Sequence, residues 1–208
     1  MKILRELIQG TDEWLEVKKG KVSASNAASL LTPVTAQPSA TMKKYAKQLA
    51  LELAYEELKA GGGFKSAAME DGNEREELAR QLYQEYSLCA VEEVGIILSD
   101  CENFAYSPDG LVGDDGLVEI KNLEAEGHSN ILLERPYKMP SAYKCQVQFG
   151  LWVSGREWCD FIALGKIKDP EKSLIVIRQF RDEPFIEKLE EEAHNCIFFR
   201  DQVLQQLK

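Results

Sequence analysis

The sequence has 208 residues with 44% hydrophobic and 29% charged content, the balance of one soluble globular domain over residues 1–208. No stretch approaches the roughly 18 consecutive apolar residues of a membrane span, and Lys2 and Arg5 interrupt any signal-peptide core, so we expect a cytoplasmic protein without a membrane partner. The net charge of −10 argues against a protein that coats nucleic acid over its whole surface, although a local basic stripe can coexist with an acidic exterior.

The five cysteines are scattered and never form a CxxC pair, which argues against a disulfide framework or a zinc ribbon. We expect them to be reduced, buried thiols. They are Cys89, Cys101, Cys145, Cys159 and Cys196. His128 and His194 provide no ligand set for zinc and are expected to be structural or surface residues. Any metal should therefore be a hard, oxygen-liking cation.

The N-terminal part of the chain is predicted to hold a short helix and a linker. Residues 23–31 form the helix, with Ser23 or Ser25 as a candidate N-cap. The Pro- and Thr-rich residues 32–39 are predicted to be a flexible linker that separates this first unit from the rest.

Two longer helices are predicted next. Residues 42–59 place apolar side chains at near-helical spacing, and a run of glycines then stops the helix. A second helix covers residues 66–86, and its apolar face is marked by Leu78, Leu82 and Tyr86.

After Ser87 the apolar period becomes that of strands. The predicted strands cover residues 91–98, 104–106, 111–112 and 117–120, an antiparallel meander whose last two strands are joined by a turn at 113–116. Helices at 129–133 and 142–153, strands at 158–164 and 174–180 and a closing helix at 184–207 complete the pattern. This order predicts an α+β fold with a central mixed sheet flanked by helices.

Three charged residues on the predicted hairpin are candidates for chemistry. Glu119 and Lys121 are two apart on a strand, so their side chains leave one face while the residues between them enter the core. Pairing Val112 with Gly116 would place Asp109 directly across from Glu119. A register slipped by one residue would send Asp109 to the other face, unless the chain bends around Pro108 and Gly110.

Opposed carboxylates repel, so Asp109 and Glu119 should have raised pKa values until Mg²⁺ or Mn²⁺ enters. Lys121 beside the ions could orient or deprotonate an attacking water, or stabilise charge on a phosphorane. Taken singly, the Ser-Pro-Asp-Gly stretch is usually a turn and the Glu-x-Lys stretch a solvated pair. Their combination across one hairpin favours a metal-dependent nuclease site.

In these motifs the sequence resembles the lambda exonuclease or YqaJ-type viral recombinase nucleases, which have the restriction-endonuclease-like PD-(D/E)XK fold. The resemblance covers most of the chain and implies a single nuclease domain. The matching motifs lie at residues 10–15, 20–25, 72–76, 107–110, 119–121 and 143–149.

The resemblance implies that Asp109 and Glu119 bind metal together with the main-chain carbonyl of Ile120, and that Lys121 serves the attacking water. It adds Glu76 as a further ligand, although Glu74 and Glu77 lie beside it in the sequence. The implied cofactor is Mg²⁺, with two ions in the site and Mn²⁺ as a substitute.

The resemblance also implies a pocket for a 5′-terminal phosphate formed by Ser25, Ser107 and Lys18. This sequence departs from the family pattern at Lys18, where a lysine replaces an arginine, so a two-pronged phosphate contact becomes a point charge. Ser25 is equally explained as a helix N-cap or a small packing residue. The implied border of the active site is formed by Tyr143, Gln146 and Gln148.

The function expected from the resemblance is a Mg²⁺-dependent exonuclease that degrades linear double-stranded DNA in the 5′ to 3′ direction. It would leave 3′ single-stranded tails for recombination, act as a ring-shaped homotrimer on DNA ends and work with a single-strand annealing protein. The alternatives are another nuclease of the fold, such as an endonuclease or a Cas4-like or RecB-like enzyme, and a non-catalytic DNA-binding assembly protein. Iron–sulfur versions need clustered cysteines, which this sequence lacks.

Overall fold

A computed structural model describes residues 1–55, 67–167 and 170–207. The strands are β1 (Lys2–Leu4), β2 (Val22–Ser23), β3 (Ile96–Leu98), β4 (Phe104–Tyr106), β5 (Gly110–Val112), β6 (Gly116–Leu123), β7 (Trp158–Gly165) and β8 (Leu174–Phe180). The α-helices are α1 (Asp12–Lys18), α2 (Met42–Ala54), α3 (Ala67–Ser87), α4 (Ala125–Leu133), α5 (Lys144–Ser154), α6 (Pro170–Ser173) and α7 (Glu183–Leu207). Short 3₁₀ helices span Ala24–Ser29 and Ser141–Tyr143.

The strands form two mixed sheets of four strands. The first sheet has the order β1-β3-β4-β2, with β2 parallel to β4, and the second has the order β5-β6-β7-β8, with β6 parallel to β7. The α+β class with mixed sheets and flanking helices is confirmed. The predicted antiparallel meander of residues 91–120 is not continuous, because the chain leaves the first sheet after β4 and enters the second at β5. Pro108 lies at this break and has no N–H with which to extend the ladder.

The predicted register of the hairpin is confirmed. Val112 pairs with Gly116, and Gly110 pairs with Val118. The predicted strand 91–98 is shorter than expected: β3 begins at Ile96, and Glu92 makes only an isolated bridge to Leu111.

Helices cover both faces of the second sheet. Val118 and Ile120 point to the side of α3, where they pack with Ala79 and Tyr83. Leu117 belongs to the larger core on the other side, to which α5 contributes several buried apolar side chains. Helix α5 also contacts the first sheet and α7, so it ties the two sheets together. Glu119 and Lys121 are thus carried by a strand that is covered on both faces.

The buried face of α3 differs from the prediction. Leu78 and Tyr86 are 46% and 70% exposed, whereas Ala79 and Tyr83 are buried. The buried face is set by tertiary contacts: small Ala79 packs on the sheet, and the Tyr83 hydroxyl donates to Asp160 at 2.7 Å. The predicted starting residue of this helix, and the end of the helix predicted at 42–59 with its stop glycines, fall in 56–66, outside the described residues.

Residues 32–39 are a fixed loop, so the linker prediction is wrong. The N–H of Thr32 donates to the carbonyl of Gln37 at 2.8 Å, and the N–H of Ser39 donates to the carbonyl of Leu30 at 2.8 Å. Fully buried Leu30 anchors the loop in the core. The N-terminal residues are therefore no separate unit, since they supply two strands of the first sheet.

The predicted helix at 23–31 is the 3₁₀ helix Ala24–Ser29. Ser23 occupies the N-cap position but makes no side-chain cap, and its hydroxyl lies 3.3 Å from that of Ser25. Neither serine therefore caps the helix as expected.

The cysteines and histidines divide between core and surface. Cys145, Cys159 and Cys196 are buried and unbridged, but Cys89 and Cys101 are exposed, so the expectation of five buried thiols is wrong. Cys89 lies two residues after the end of α3, and Cys101 lies in the turn between β3 and β4. His128 is buried and His194 lies on the exterior of α7. In the described part of the chain, no helix combines the length and apolarity needed to cross a membrane.

Candidate active site

Asp109 lies at the entrance of the hairpin, one residue before β5. Its Oδ2 accepts the main-chain N–H of Ile120 at 2.5 Å, which fixes the carboxylate beside the middle of β6. The next residue, Gly110, packs against Val91 so closely that a Cβ there would lie 2.1 Å from a Val91 methyl carbon. The bend expected around Pro108 and Gly110 therefore brings Asp109 to the strand that carries Glu119.

Glu119 is only 1% exposed, although it is a carboxylate. Its oxygens accept hydrogen bonds from the Tyr106 hydroxyl at 3.2 Å, from Lys121 Nζ at 2.6 Å and from the amide of Gln146. A buried charge is tolerated only when it is paired and hydrogen-bonded, and these three donors meet that requirement.

Lys121 completes the set on β6, with 23% of its side chain exposed. Its Nζ lies 5.6 Å from the ring centre of Tyr143, which packs in turn on Phe161. Burial lowers the pKa of Lys121, but the carboxylates of Glu119 and Asp109 raise it by more, so its pKa lies above the ordinary value. Lys121 is therefore an ammonium group as the site stands.

Glu76 is half-buried on α3 and faces this site, whereas Glu74 and Glu77 are exposed. Burial raises the pKa of Glu76, Arg80 opposes that effect, and Glu119 raises the pKa further. Arg80 Nη2 donates to Glu76 Oε1 at 3.2 Å. Glu76 is thus a half-buried carboxylate whose charge interacts with that of Glu119.

The carboxyl of Asp109 lies close to two other carboxylates, those of Glu119 and Glu76. Burial raises its pKa well above the ordinary value, and repulsion from Glu119 and Glu76 raises it further. Lys121 and the N–H of Ile120 lower it, but by less. This is the arrangement expected of carboxylates that share a cation.

The donor chemistry of the site fits a hard divalent cation. Asp109, Glu119 and Glu76 offer only oxygen, the ligand type that Mg²⁺ prefers. The nearby thiol of Cys159 is fully buried, and burial together with Glu119 raises its pKa, so it stays protonated and is no soft ligand. Among the described residues, no three His, Cys, Asp or Glu side chains are gathered closely enough to enclose an ion as they stand. Side-chain rotation is therefore needed to form the site.

The main-chain N–H of Ile120 contacts Asp109. The metal-binding role of its carbonyl stays a prediction.

Lys18, Ser25 and Ser107 line one cavity of about 170 Å³, together with Trp14 and Gln146. The indole N–H of Trp14 donates to Ser107 Oγ at 2.9 Å, and Lys18 Nζ lies 4.5 Å from the centre of the Trp14 ring. Burial lowers the pKa of Lys18, while Glu52 raises it by less. The three residues expected to bind phosphate are thus brought together, and one of them, Ser107, lies two residues before Asp109 along the chain.

The turn that follows Lys18 is held by Glu52 and Arg200, two residues that were not expected to take part in the site. Gly20 has φ +68°, which suits the third position of a type II turn closed by the N–H of Lys21 donating to the carbonyl of Lys18 at 3.1 Å. Its N–H donates to Glu52 Oε2 at 3.1 Å, and its carbonyl accepts Arg200 Nη1 at 2.7 Å. Both partners are distant in sequence, so no local pattern could have identified them.

Gln146 borders the site, but Gln148 does not. Gln148 is 3% exposed on the opposite side of α5, where its amide donates to the carbonyl of Phe180 at 2.9 Å and accepts the N–H of Asp182 at 2.8 Å. Two residues along a helix is about half a turn, which explains why the pair cannot share a face. Gln148 is a structural link between β8 and α7.

Two further residues of the site were missed in the sequence. Tyr106 precedes the Ser-Pro-Asp-Gly stretch directly, and its strand position offered the only available signal. Arg80 follows Glu76 by four residues, the spacing of a helical ion pair, which could have indicated their contact.

Comparison with known proteins agrees with this architecture. Residues 13–157 match the YqaJ-like viral recombinase domain. The alkaline exonuclease LHK-Exo from Laribacter hongkongensis is 30% identical, with a TM-score of 0.80 over 95% of this chain and 96% of that one. LHK-Exo in complex with dAMP gives a TM-score of 0.81 at the same identity and coverage.

A phage-related exonuclease from Haemophilus somnus 129PT shares the fold at 15% identity, with a TM-score of 0.68 over 90% of this chain and 96% of its own. No match was found among curated proteins. The fold is that of the PD-(D/E)XK nucleases, and the chain belongs to the YqaJ-like viral recombinase family.

Proposed function

We propose that this protein is a Mg²⁺-dependent exonuclease that degrades one strand of linear double-stranded DNA from the 5′ end and leaves a 3′ single-stranded tail. The observation that carries the proposal is the convergence of Asp109, Glu119 and Lys121 on one hairpin beside the cavity of Lys18, Ser25 and Ser107. The 30% identity to an alkaline exonuclease over nearly the whole chain supports the same activity.

Asp109, Glu119, Glu76 and the carbonyl of Ile120 are the groups that would hold the ions, two in the fully formed site. Bound Mg²⁺ would act as a Lewis acid on the scissile phosphate and make the attacking water easier to deprotonate, and Mn²⁺ should substitute for it. Lys121 is an ammonium group and donates hydrogen bonds, so it orients the attacking oxygen and offsets charge on the phosphorane. Gln146 and Tyr106 hold Glu119 in place for that task.

The size of the cavity supports recognition of a strand end. At about 170 Å³ it is smaller than the roughly 300–1,000 Å³ of ordinary small-molecule pockets, so it suits a single phosphate group better than a nucleotide. Lys18 and the hydroxyls of Ser25 and Ser107 are suitable donors to such a phosphate. A duplex end seated there would place the first internucleotide phosphate toward Asp109, which favours 5′ to 3′ polarity.

The assembly belongs to the same proposal. A homotrimeric ring around DNA would reconcile the net charge of −10 with DNA binding, because only the channel lining needs to be basic. The 3′ tail is the substrate of single-strand annealing, so we propose an annealing protein as partner. Family membership supports both assignments.

The test is a cleavage assay with blunt linear duplexes labelled at either end, with and without a 5′ phosphate, beside a closed circular duplex. The proposal predicts Mg²⁺-dependent release of nucleotides from 5′ ends alone, faster with the phosphate, and an intact circle. Cutting of the circle would identify an endonuclease of the same fold. Binding without any Mg²⁺-dependent product would identify a non-catalytic DNA-binding protein.

A further inference from the structure

Arg80 is a buried cation that joins three segments of the chain next to the metal ligands. It is 6% exposed on α3. Its guanidinium donates to Glu76 Oε1 at 3.2 Å, to the main-chain carbonyl of Asp109 at 3.3 Å and to Glu77, and it lies 3.2 Å from Glu93. One side chain therefore contacts a glutamate of the site and the backbone of its aspartate.

The contact with Glu76 uses one carboxylate oxygen, Oε1, which leaves the second oxygen for an ion. Glu76, Arg80 and Asp109 also line a cavity of about 510 Å³ that adjoins the site. A cation can approach both carboxylates through this cavity while Arg80 stays in place.

The charge of Arg80 is balanced by two further carboxylates that line the same cavity. Glu77 and Glu93 contact the guanidinium with side chains that are 52% and 66% exposed. The three side chains together carry a net negative charge, so Arg80 does not repel an approaching cation. Glu77 and Glu93, to which the nuclease chemistry assigns no role, therefore serve to offset the charge of Arg80.

We propose that Arg80 is a positioning residue that sets the affinity of the site for divalent cations, by orienting Glu76 and fixing the backbone at Asp109. The inference rests on the proposed metal-dependent function. Its geometry requires the planar fork of arginine, which has five N–H donors at fixed angles, whereas lysine offers the same charge at a single point. Partners of metal ligands typically change metal affinity by about 10–100-fold when they are altered.

The test is calorimetric titration of Mn²⁺ into the DNA-free protein, with Arg80→Lys, Glu76→Gln and the double variant beside the wild type. Arg80→Lys keeps the charge and should weaken Mn²⁺ binding by about 10–100-fold. In the Glu76→Gln background the same change should weaken binding less, because one of the two contacts through which Arg80 acts is already altered and only that to the carbonyl of Asp109 remains. Glu74→Gln, which alters an exposed carboxylate on the same helix, should change the affinity less than about threefold.

Circular dichroism and thermal unfolding of each variant exclude misfolding as the cause. Equal Mn²⁺ affinity of wild type and Arg80→Lys would overturn the inference and leave the nuclease proposal standing. An equal effect of Arg80→Lys with and without Glu76 would also overturn it, since the residue would then be merely structural. A wild-type protein that binds no Mn²⁺ would overturn the proposed function itself.

Discussion

The amide of Gln146 donates to the carboxylate of Glu119 and lines the cavity that contains Ser25 and Ser107. Gln146 thereby touches both halves of the proposed site, the residues that would bind metal and those that would bind the DNA end. Because Glu119 is buried, each of its donors matters to its orientation.

We expect Gln146→Ala to lower kcat by about 10–100-fold, the loss produced by removing roughly 1.5–3 kcal/mol of a hydrogen bond to a charged group. Stability should change less, since Tyr106 and Lys121 still hold Glu119. Steady-state cleavage of a 5′-phosphorylated duplex and urea unfolding measure the two effects.

The matched control is Gln148→Ala on the same helix. Its amide bonds to the backbone of Phe180 and Asp182 would be lost, which should destabilise the fold by about 1–3 kcal/mol. The kcat of the folded fraction should stay within about twofold of the wild type, because Gln148 does not reach the site. Reversed behaviour of the two variants would contradict the assignment of their faces.

Lys121→Ala should remove cleavage and keep DNA binding. The ammonium group is proposed to act on the attacking oxygen and the phosphorane, so its loss raises the barrier of the chemical step. DNA affinity measured by fluorescence anisotropy in Ca²⁺ should fall less than about threefold. Lys144→Ala is a suitable control, because Lys144 pairs with Asp182 at 2.8 Å, outside the proposed site. Retained cleavage by Lys121→Ala would refute its catalytic role.

The hairpin could be predicted because its determinants are local. The turn at Gly113 to Gly116 fixes the register, and the two-residue period of a strand then puts Glu119 and Lys121 together. The break between the two sheets has a local cause, because Pro108 cannot extend a strand ladder. Which strands join each sheet depends on pairings between distant parts of the chain.

What could not be predicted depends on partners far along the chain. Arg200 contacts Gly20 from the closing helix, and Tyr83 rather than Leu78 is buried because Asp160 accepts its hydroxyl. The spacing of apolar residues predicts the apolar stripe of a helix. Which edge of that stripe is buried depends on the elements that pack against the helix. Gln148 is a different case: the resemblance placed it at the border of the site, although two residues along a helix put it on the face opposite Gln146.

Asp109→Asn should stabilise the metal-free protein at pH 8. Burial and repulsion raise the pKa of Asp109, so the folded state holds this proton more tightly than the unfolded chain. The free energy of unfolding therefore falls as pH rises from the unfolded pKa of about 3.9 through the raised folded value. An asparagine can still accept the N–H of Ile120 without carrying the charge. We expect a Tm higher by about 2–4 °C at pH 8, with the difference vanishing toward pH 4.

Asp160→Asn is the control, because it should change the Tm in the opposite direction. Asp160 is also buried, but Arg178 donates to both of its oxygens at 2.8 Å and Tyr83 donates at 2.7 Å. Neutralising it should lower the Tm, because it leaves Arg178 without its partner. Calorimetric scans with a chelator present compare the two variants. A Tm of Asp109→Asn below that of the wild type at pH 8 would contradict the proposed repulsion.

Preference for a 5′ phosphate should depend on pH through Lys18. Burial lowers the pKa of Lys18, so its positive charge is lost as pH rises through that lowered value. The ratio of kcat/KM for 5′-phosphorylated over 5′-hydroxyl duplexes should therefore fall from pH 7 to pH 10 in the wild type. Lys18→Arg should keep the ratio nearly constant over this range, because a guanidinium stays protonated and can bind phosphate through two donors. Lys18→Met should bring the ratio near one at every pH. If Lys18→Arg and the wild type lost their preference in parallel, the pH dependence would have to come from another group.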